Sequence, residues 1–177
     1  MVFCLYKHHA SHNMINAGSK IGIVCCSNGQ NRKNTGNISH LSKVLGSLGL
    51  HPVFSDHIYV SQEGATGTGQ ERAKALMDFY RDDEIKGILD ISGGDMVNGV
   101  LPYLNYEVIA DSDKTFWGYS DLTTVINAIY ARTGKASVLY QIRNLIYNHG
   151  EQQIMDLRNS LISGNDDLFR IDDWLFS

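Results

Sequence analysis

Apolar runs of strand length alternate along this chain with stretches whose apolar positions recur at helical spacing. Residues 21–26, 86–91, 115–119 and 137–140 read as strands, and 53–60 as a further, less continuous strand segment. Residues 38–48, 70–80, 96–104 (a short element) and 122–132 read as helices, with Ala73, Leu76, Met77 and Tyr80 on one face of the second. After the last strand, residues 152–161 read as an amphipathic helix that Gly164 and Asn165 end. Strands separated by helices pair in parallel, with helices covering both faces of the sheet. The pattern predicts an α/β fold: a three-layer parallel-sheet sandwich, Rossmann-like or flavodoxin-like. No internal repeat interrupts it, and two prolines force few breaks.

In open sheets of this kind ligands sit at the carboxyl ends of the strands, so the loops leaving them carry the chemistry. Residues 27–37 form a long polar loop after the first strand. It has neither Gly-x-Gly-x-x-Gly nor Walker spacing, and reads as a solvent or substrate-lining loop. Gly64-Ala65-Thr66-Gly67-Thr68-Gly69 looks like a nucleotide loop but follows Ser61-Gln62-Glu63 rather than a buried strand, and reads as a flexible connection. Ser92-Gly93-Gly94-Asp95 is more pointed: two glycines leave backbone N–H groups open to an anion or a developing oxyanion. The plain alternative is a sharp turn with Asp95 as a helix cap. Asn98, in the short helix that follows, is a candidate to face the same crevice.

The fourth strand stops at a serine and a helix begins at once, in Phe116-Trp117-Gly118-Tyr119-Ser120-Asp121-Leu122-Thr123-Thr124. That is the layout of a nucleophile elbow: Ser120 is lifted off the sheet, and the Asp121 N–H lies at a helix N-terminus, where an acyl-transfer oxyanion needs a donor. The Gly-x-Ser-x-Gly form is half met, with Gly118 and Ser120 present and Leu122 in place of the second glycine. The plain alternative makes Ser120 the N-cap of its helix. Gly94 N–H is the natural second oxyanion donor. A serine also needs a base. Of His40, His51, His57 and His149, only His149 falls on the same edge, as a surrogate.

Composition narrows the classes. At 177 residues and 43% hydrophobic, the chain can bury one sizeable core. A net charge of -4 gives no footprint for nucleic acid. No run approaches the about 20 apolar residues that span a bilayer. The first apolar run precedes Lys7 instead of following a positive charge, so no export signal is read. Cys4, Cys25 and Cys26 are an odd count without disulfide spacing, which places the chain in a reducing, cytoplasmic compartment. His8, His9 and His12 lack ligand partners at useful spacing, so neither metal nor cofactor is expected.

Taken in order, Ile21-Gly22-Ile23-Val24, Asp90-Ile91-Ser92-Gly93-Gly94-Asp95, Leu101-Pro102-Tyr103-Leu104, residues 116–124, and Asn127-Ala128-Ile129-Tyr130-Ala131-Arg132-Thr133-Gly134 resemble the N-terminal half of the LD-carboxypeptidase family of serine peptidases. Within it, the branch typified by the microcin C self-immunity peptidase is the most similar. The resemblance runs from about Lys20 to Tyr147. It implies Ser120 as nucleophile and the Gly-Gly turn, with Gly94, as part of the oxyanion hole, to which the elbow adds the Asp121 N–H; Gly93, Asp95 and Asn98 are the expected substrate-binding residues. It also implies a glutamate and a histidine in a C-terminal domain beyond Ser177, so that these residues alone are expected to be inactive. The implied substrates are a small peptide, cut between an L-centre and a terminal D-alanine of the cell wall, or the amide of a peptidyl nucleotide.

The expected organisation is a disordered extension over 1–19, the α/β domain over 20–163, and the start of a linker over 164–177. Phe169, Trp174, Leu175 and Phe176 are candidates for an apolar patch or a homodimer contact. The alternative function is a non-catalytic remnant that keeps the fold and binds a ligand or partner.

Overall fold

Five strands, β1 (Lys20–Val24), β2 (His51–Phe54), β3 (Ile85–Asp90), β4 (Thr115–Gly118) and β5 (Val138–Leu139), form one all-parallel sheet in the order β2-β1-β3-β4-β5. The computed structural model describes residues 15–60, 66–147 and 149–162. The helices are α1 (Thr35–Ser47), α2 (Gly69–Arg81), α3 (Tyr106–Asp111), α4 (Thr123–Thr133) and α5 (Gly150–Ile162). The strand order is the flavodoxin-like one, with its topological switch between β1 and β3. Pairing of Val24 with Asp90 and of Leu89 with Trp117 brings the carboxyl ends of β1, β3 and β4 side by side.

Period-2 alternation assigns neighbouring strand residues to opposite layers. Ile21, Ile23, Leu89 and Trp117 pack with Ile38, Leu41 and Leu45 of α1 and Leu157 of α5. Val24, Ile88 and Phe116 pack with Leu76 and Met77 of α2, Ile109 of α3, and Val125 and Ile129 of α4. Each helix buries one stripe, which is why the helical spacing was legible.

Two expectations change, and one element was not expected. The second strand ends at Phe54, and residues 55–60 turn back so that Gln30 and Tyr59 form an isolated bridge. The short element after β3 is a 3-10 helix, Val97–Tyr103, containing Pro102, whose missing N–H and whose ring, crowding the carbonyl four residues before it, do not suit an α-helix interior. Helix α3 has only six residues, too few to show a period, and is started by Asn105, whose side chain accepts from the N–H groups of Glu107 and Val108.

The segment before β1 is also more built than expected. Ile15 is buried in the core beside Ile21, and Gly18 N–H donates to Gly49 O at 2.7 Å. Residues 15–19 therefore pack on the domain. The rest of the expected extension, with Cys4, His8, His9 and His12, lies outside the described residues, as do Phe169, Trp174, Leu175 and Phe176. In the connection before α2, Thr66 is buried and Thr68 closes a capping box with Glu71, so these residues are held rather than loose. Among the described residues no helix is long and apolar enough to cross a membrane.

Candidate active site

The chain leaves β4 through extended Tyr119 (φ -146) and then reverses hand at Ser120, whose φ is 62. A left-handed conformation costs a residue with a Cβ about 1–2 kcal/mol, so it persists only where the surroundings impose it. They do so here. Leu122 N–H donates to Tyr119 O at 3.2 Å, Thr123 Oγ1 donates to Ser120 O at 2.8 Å, and a 3-10 turn, Ser120–Leu122, runs into α4. Gly118 allows this close return: a Cβ there would lie 2.8 Å from that of Leu122.

Ser120 caps nothing. The cap positions of the turn and of α4 are Tyr119 and Leu122, neither with a side-chain cap bond, so the N-cap alternative falls. The Ser120 side chain is exposed. Asp121, one residue further into the turn, has its N–H at a position with no carbonyl inside the helix to receive it.

Facing the elbow is the turn after β3. A Cβ built on Gly93 would touch Ser120 Cβ at 3.9 Å, ordinary van der Waals contact. Gly94 has φ 136, and a Cβ there would lie 2.3 Å from Asn28 Cγ. Only glycine fits both demands. Gly94 N–H makes none of the backbone turn bonds among the described residues. The capping role weighed for Asp95 is absent, since Met96 holds the cap position without a side-chain bond. Instead Asp95 N–H donates to Asn28 Oδ1 at 3.3 Å. Asp95 and Asn98 are both exposed, on the turn and on the 3-10 helix that follows it.

Beneath these turns lies a buried polar base. Asp90 accepts from Cys26 N–H at 2.7 Å, Ser92 N–H at 2.7 Å and Ser92 Oγ at 2.5 Å. Burial raises its carboxyl above the ordinary range, and the hydrogen bonds from Ser92 and Cys26 oppose that rise. Arg72, also buried, donates from Nη1 to Cys26 O at 2.5 Å and to Met96 O at 3.2 Å. Cys25 and Cys26 are buried, and burial pushes both thiols well above their usual value. They pack as small apolar groups and are not thiolate nucleophiles.

No described histidine hydrogen-bonds the Ser120 hydroxyl. His51 opens β2 at the amino end of the sheet, and His40 is exposed on α1. His57 Nδ1 lies 3.0 Å from Thr66 O, and His149 is exposed in a left-handed turn before α5. The edge near β5 is instead reached by Gln141, whose Nε2 donates to Ser92 O at 3.4 Å. Arg143 rests between Gln30 Oε1 at 3.2 Å and Gln141 Oε1 at 3.4 Å.

Asp90, Arg72, Ser27 and Gln141 were not singled out from sequence. Asp90 and Arg72 carried a usable signal, a charge at the end of an apolar strand and one within an apolar helix stripe; Ser27 and Gln141 carried none.

The chain has relatives. The LD-carboxypeptidase N-terminal domain matches residues 21–141, and the chain belongs to that family. The microcin C7 self-immunity protein MccF of Escherichia coli is 39% identical over 69 residues, covering 39% of this chain and 20% of that protein. The "Probable murein peptide carboxypeptidase" of Bacillus subtilis is 28% identical over 120 residues, covering 68% of this chain and 37% of that protein. The solved MccF-like protein of Bacillus anthracis superposes with a TM-score of 0.72 at 28% identity, over 84% of this chain and 46% of that one. MccF has been solved in complex with glutamyl sulfamoyl guanosine, with a TM-score of 0.73 to this chain at 22% identity, over 84% of this chain and 46% of that one. The chain thus spans less than half the length of these relatives.

Proposed function

We propose that this chain is the nucleophile-bearing half of a serine hydrolase of the LD-carboxypeptidase type. The observation that carries the reading is Ser120, a non-glycine residue held at φ 62 with an exposed side chain between strand and helix. Strain of this kind, kept where no cap or packing role explains it, points to a reacting group. Ser120 Oγ attacks the carbonyl carbon of a peptide or amide. The Gly94 and Asp121 N–H groups hold the resulting oxyanion, and Gly93, Asp95 and Asn98 border the bound chain. Collapse of the tetrahedral intermediate breaks the C–N bond, and the serine proton passes through a base to the leaving amine. Water then hydrolyses the ester. The base is a histidine oriented by a glutamate, supplied from the half of the family fold that these residues do not cover.

Two substrate classes are proposed: a murein peptide ending in a D-residue, as the family resemblance implies, and a peptidyl-nucleotide amide. The MccF complex with glutamyl sulfamoyl guanosine supports the second for that protein. A second reading, a ligand-binding domain without catalysis, is favoured by the lack of a base against Ser120 among the described residues.

Fluorophosphonate labelling read by peptide mass spectrometry separates the two. Modification at Ser120 in the full-length protein, lost in Ser120→Ala, is expected. A full-length protein that takes no label at Ser120 refutes the hydrolase reading.

A further inference from the structure

Ser27 lies beyond the end of β1 and is fully buried, at 0% exposure. Its hydroxyl meets the turn of the elbow and the turn that faces it. It donates to Asp121 Oδ2 and accepts from Met96 N–H at 3.2 Å. Asn28 Oδ1, at 3.3 Å, competes for the single hydroxyl proton, but a carboxylate is the stronger acceptor. Asp121 Oδ1 is buried with no partner among the described residues, so Ser27 is the described anchor of that carboxylate.

The backbone of Ser27 is fixed in turn. Its N–H donates to Ser92 Oγ at 3.0 Å, and its carbonyl accepts from Thr66 Oγ1 at 3.2 Å and Arg72 Nη1 at 3.4 Å. A buried hydroxyl satisfied on both sides is a rigid spacer, because moving either partner breaks a bond that water cannot replace.

The two groups it holds belong to the two loops carrying the proposed oxyanion donors. Asp121 supplies one donor from its own backbone, and Met96 lies two residues past Gly94. From this geometry we infer that Ser27 is a positioning residue: its hydroxyl sets the separation of the Gly94 and Asp121 N–H groups. The inference rests on the reading of Ser120 as nucleophile. Oxyanion donors act only when they are already aimed at the developing charge, and a misplacement of about 1 Å can lower a rate by about 100-fold.

The test is fluorophosphonate inactivation of the full-length protein, with kinact and KI measured for the parent, Ser27→Ala and Ser27→Thr. In the reaction Ser120 Oγ bonds to phosphorus, fluoride leaves, and the serine proton goes to the base; the phosphoryl oxygen occupies the oxyanion position. Ser27→Ala is expected to lower kinact by about 10- to 100-fold with KI unchanged. Ser27→Thr, which keeps the hydroxyl, is expected to restore most of it. Amide exchange at Met96, followed by NMR, is expected to speed up in Ser27→Ala but not in Ser27→Thr.

Should Ser27→Ala label at the parent rate, or lose KI rather than kinact, the positioning role is overturned and the nucleophile stands. Unchanged Met96 exchange in Ser27→Ala overturns the clasp itself, even if the threonine variant does not fold. A parent that takes no label at Ser120 overturns both readings.

Discussion

Substituting Ser120 by glycine and by alanine separates backbone strain from loss of the hydroxyl. Both variants lack Oγ, and the exposed side chain packs against little, so they differ in the Cβ alone. At φ 62 that Cβ costs about 1–2 kcal/mol. Glycine removes the cost but returns about 0.4–1 kcal/mol as greater freedom of the unfolded chain. Ser120→Gly is therefore expected to be more stable than Ser120→Ala by about 1 kcal/mol, or about 2–4 °C in Tm. Thr123 provides the control, because its φ of -54 is right-handed. There the order reverses, and Thr123→Ala exceeds Thr123→Gly by about 1 kcal/mol. Urea unfolding followed by circular dichroism measures all four variants. The same sign at both positions would refute the claim that Ser120 is strained.

Gly94→Ala combines left-handed strain with the displaced Asn28 and should lose about 2–4 kcal/mol; adding Asn28→Ala should recover about 1 kcal/mol relative to the sum of the single effects, measured as a double-mutant cycle. Gly93, which is not left-handed, should accept alanine with little change in Tm while its new methyl slows labelling of Ser120. Asp90→Asn should cost about 1–3 kcal/mol, because the amide NH2 then faces one of the donors that Asp90 accepts. The raised carboxyl of Asp90 means the folded protein binds the proton more tightly than the unfolded chain, whose carboxyl titrates near the ordinary 3.9 or so. Its contribution to stability is greatest below that value and declines as pH rises through the folded one. The deficit of Asp90→Asn should thus narrow from acid to neutral pH, and urea titrations that show it widening would contradict the assigned direction. Cys25 and Cys26, being buried thiols, should react with iodoacetamide only at the rate of unfolding, read site by site by mass spectrometry.

Periodicity marked the strands, the longer helices and the parallel sheet, because each element must bury one stripe or face whatever its neighbours are. It also marked the elbow, because a strand stopping at Ser120 with a helix starting at once is a local event. The Gly-Gly turn was legible for the same reason. Local patterns could not say whether Ser120 was a cap; that was decided by a left-handed φ imposed through Gly118, Leu122 and Thr123. Nor could they find Ser27, one serine in a polar loop, whose hydroxyl acquires its role only when β1, β3 and β4 align and set Asp121 and Met96 on either side of it. Asp90 and Arg72 stood out as charges in apolar elements, but their partners did not. A buried polar group is defined by the partners that satisfy it, and among those partners Cys26 lies 46 residues from Arg72 and 64 from Asp90, and Asp121 94 from Ser27. Sequence by itself determined the layers and the place of the elbow that carries the proposed nucleophile; the register of three strand ends decided which polar groups hold that elbow.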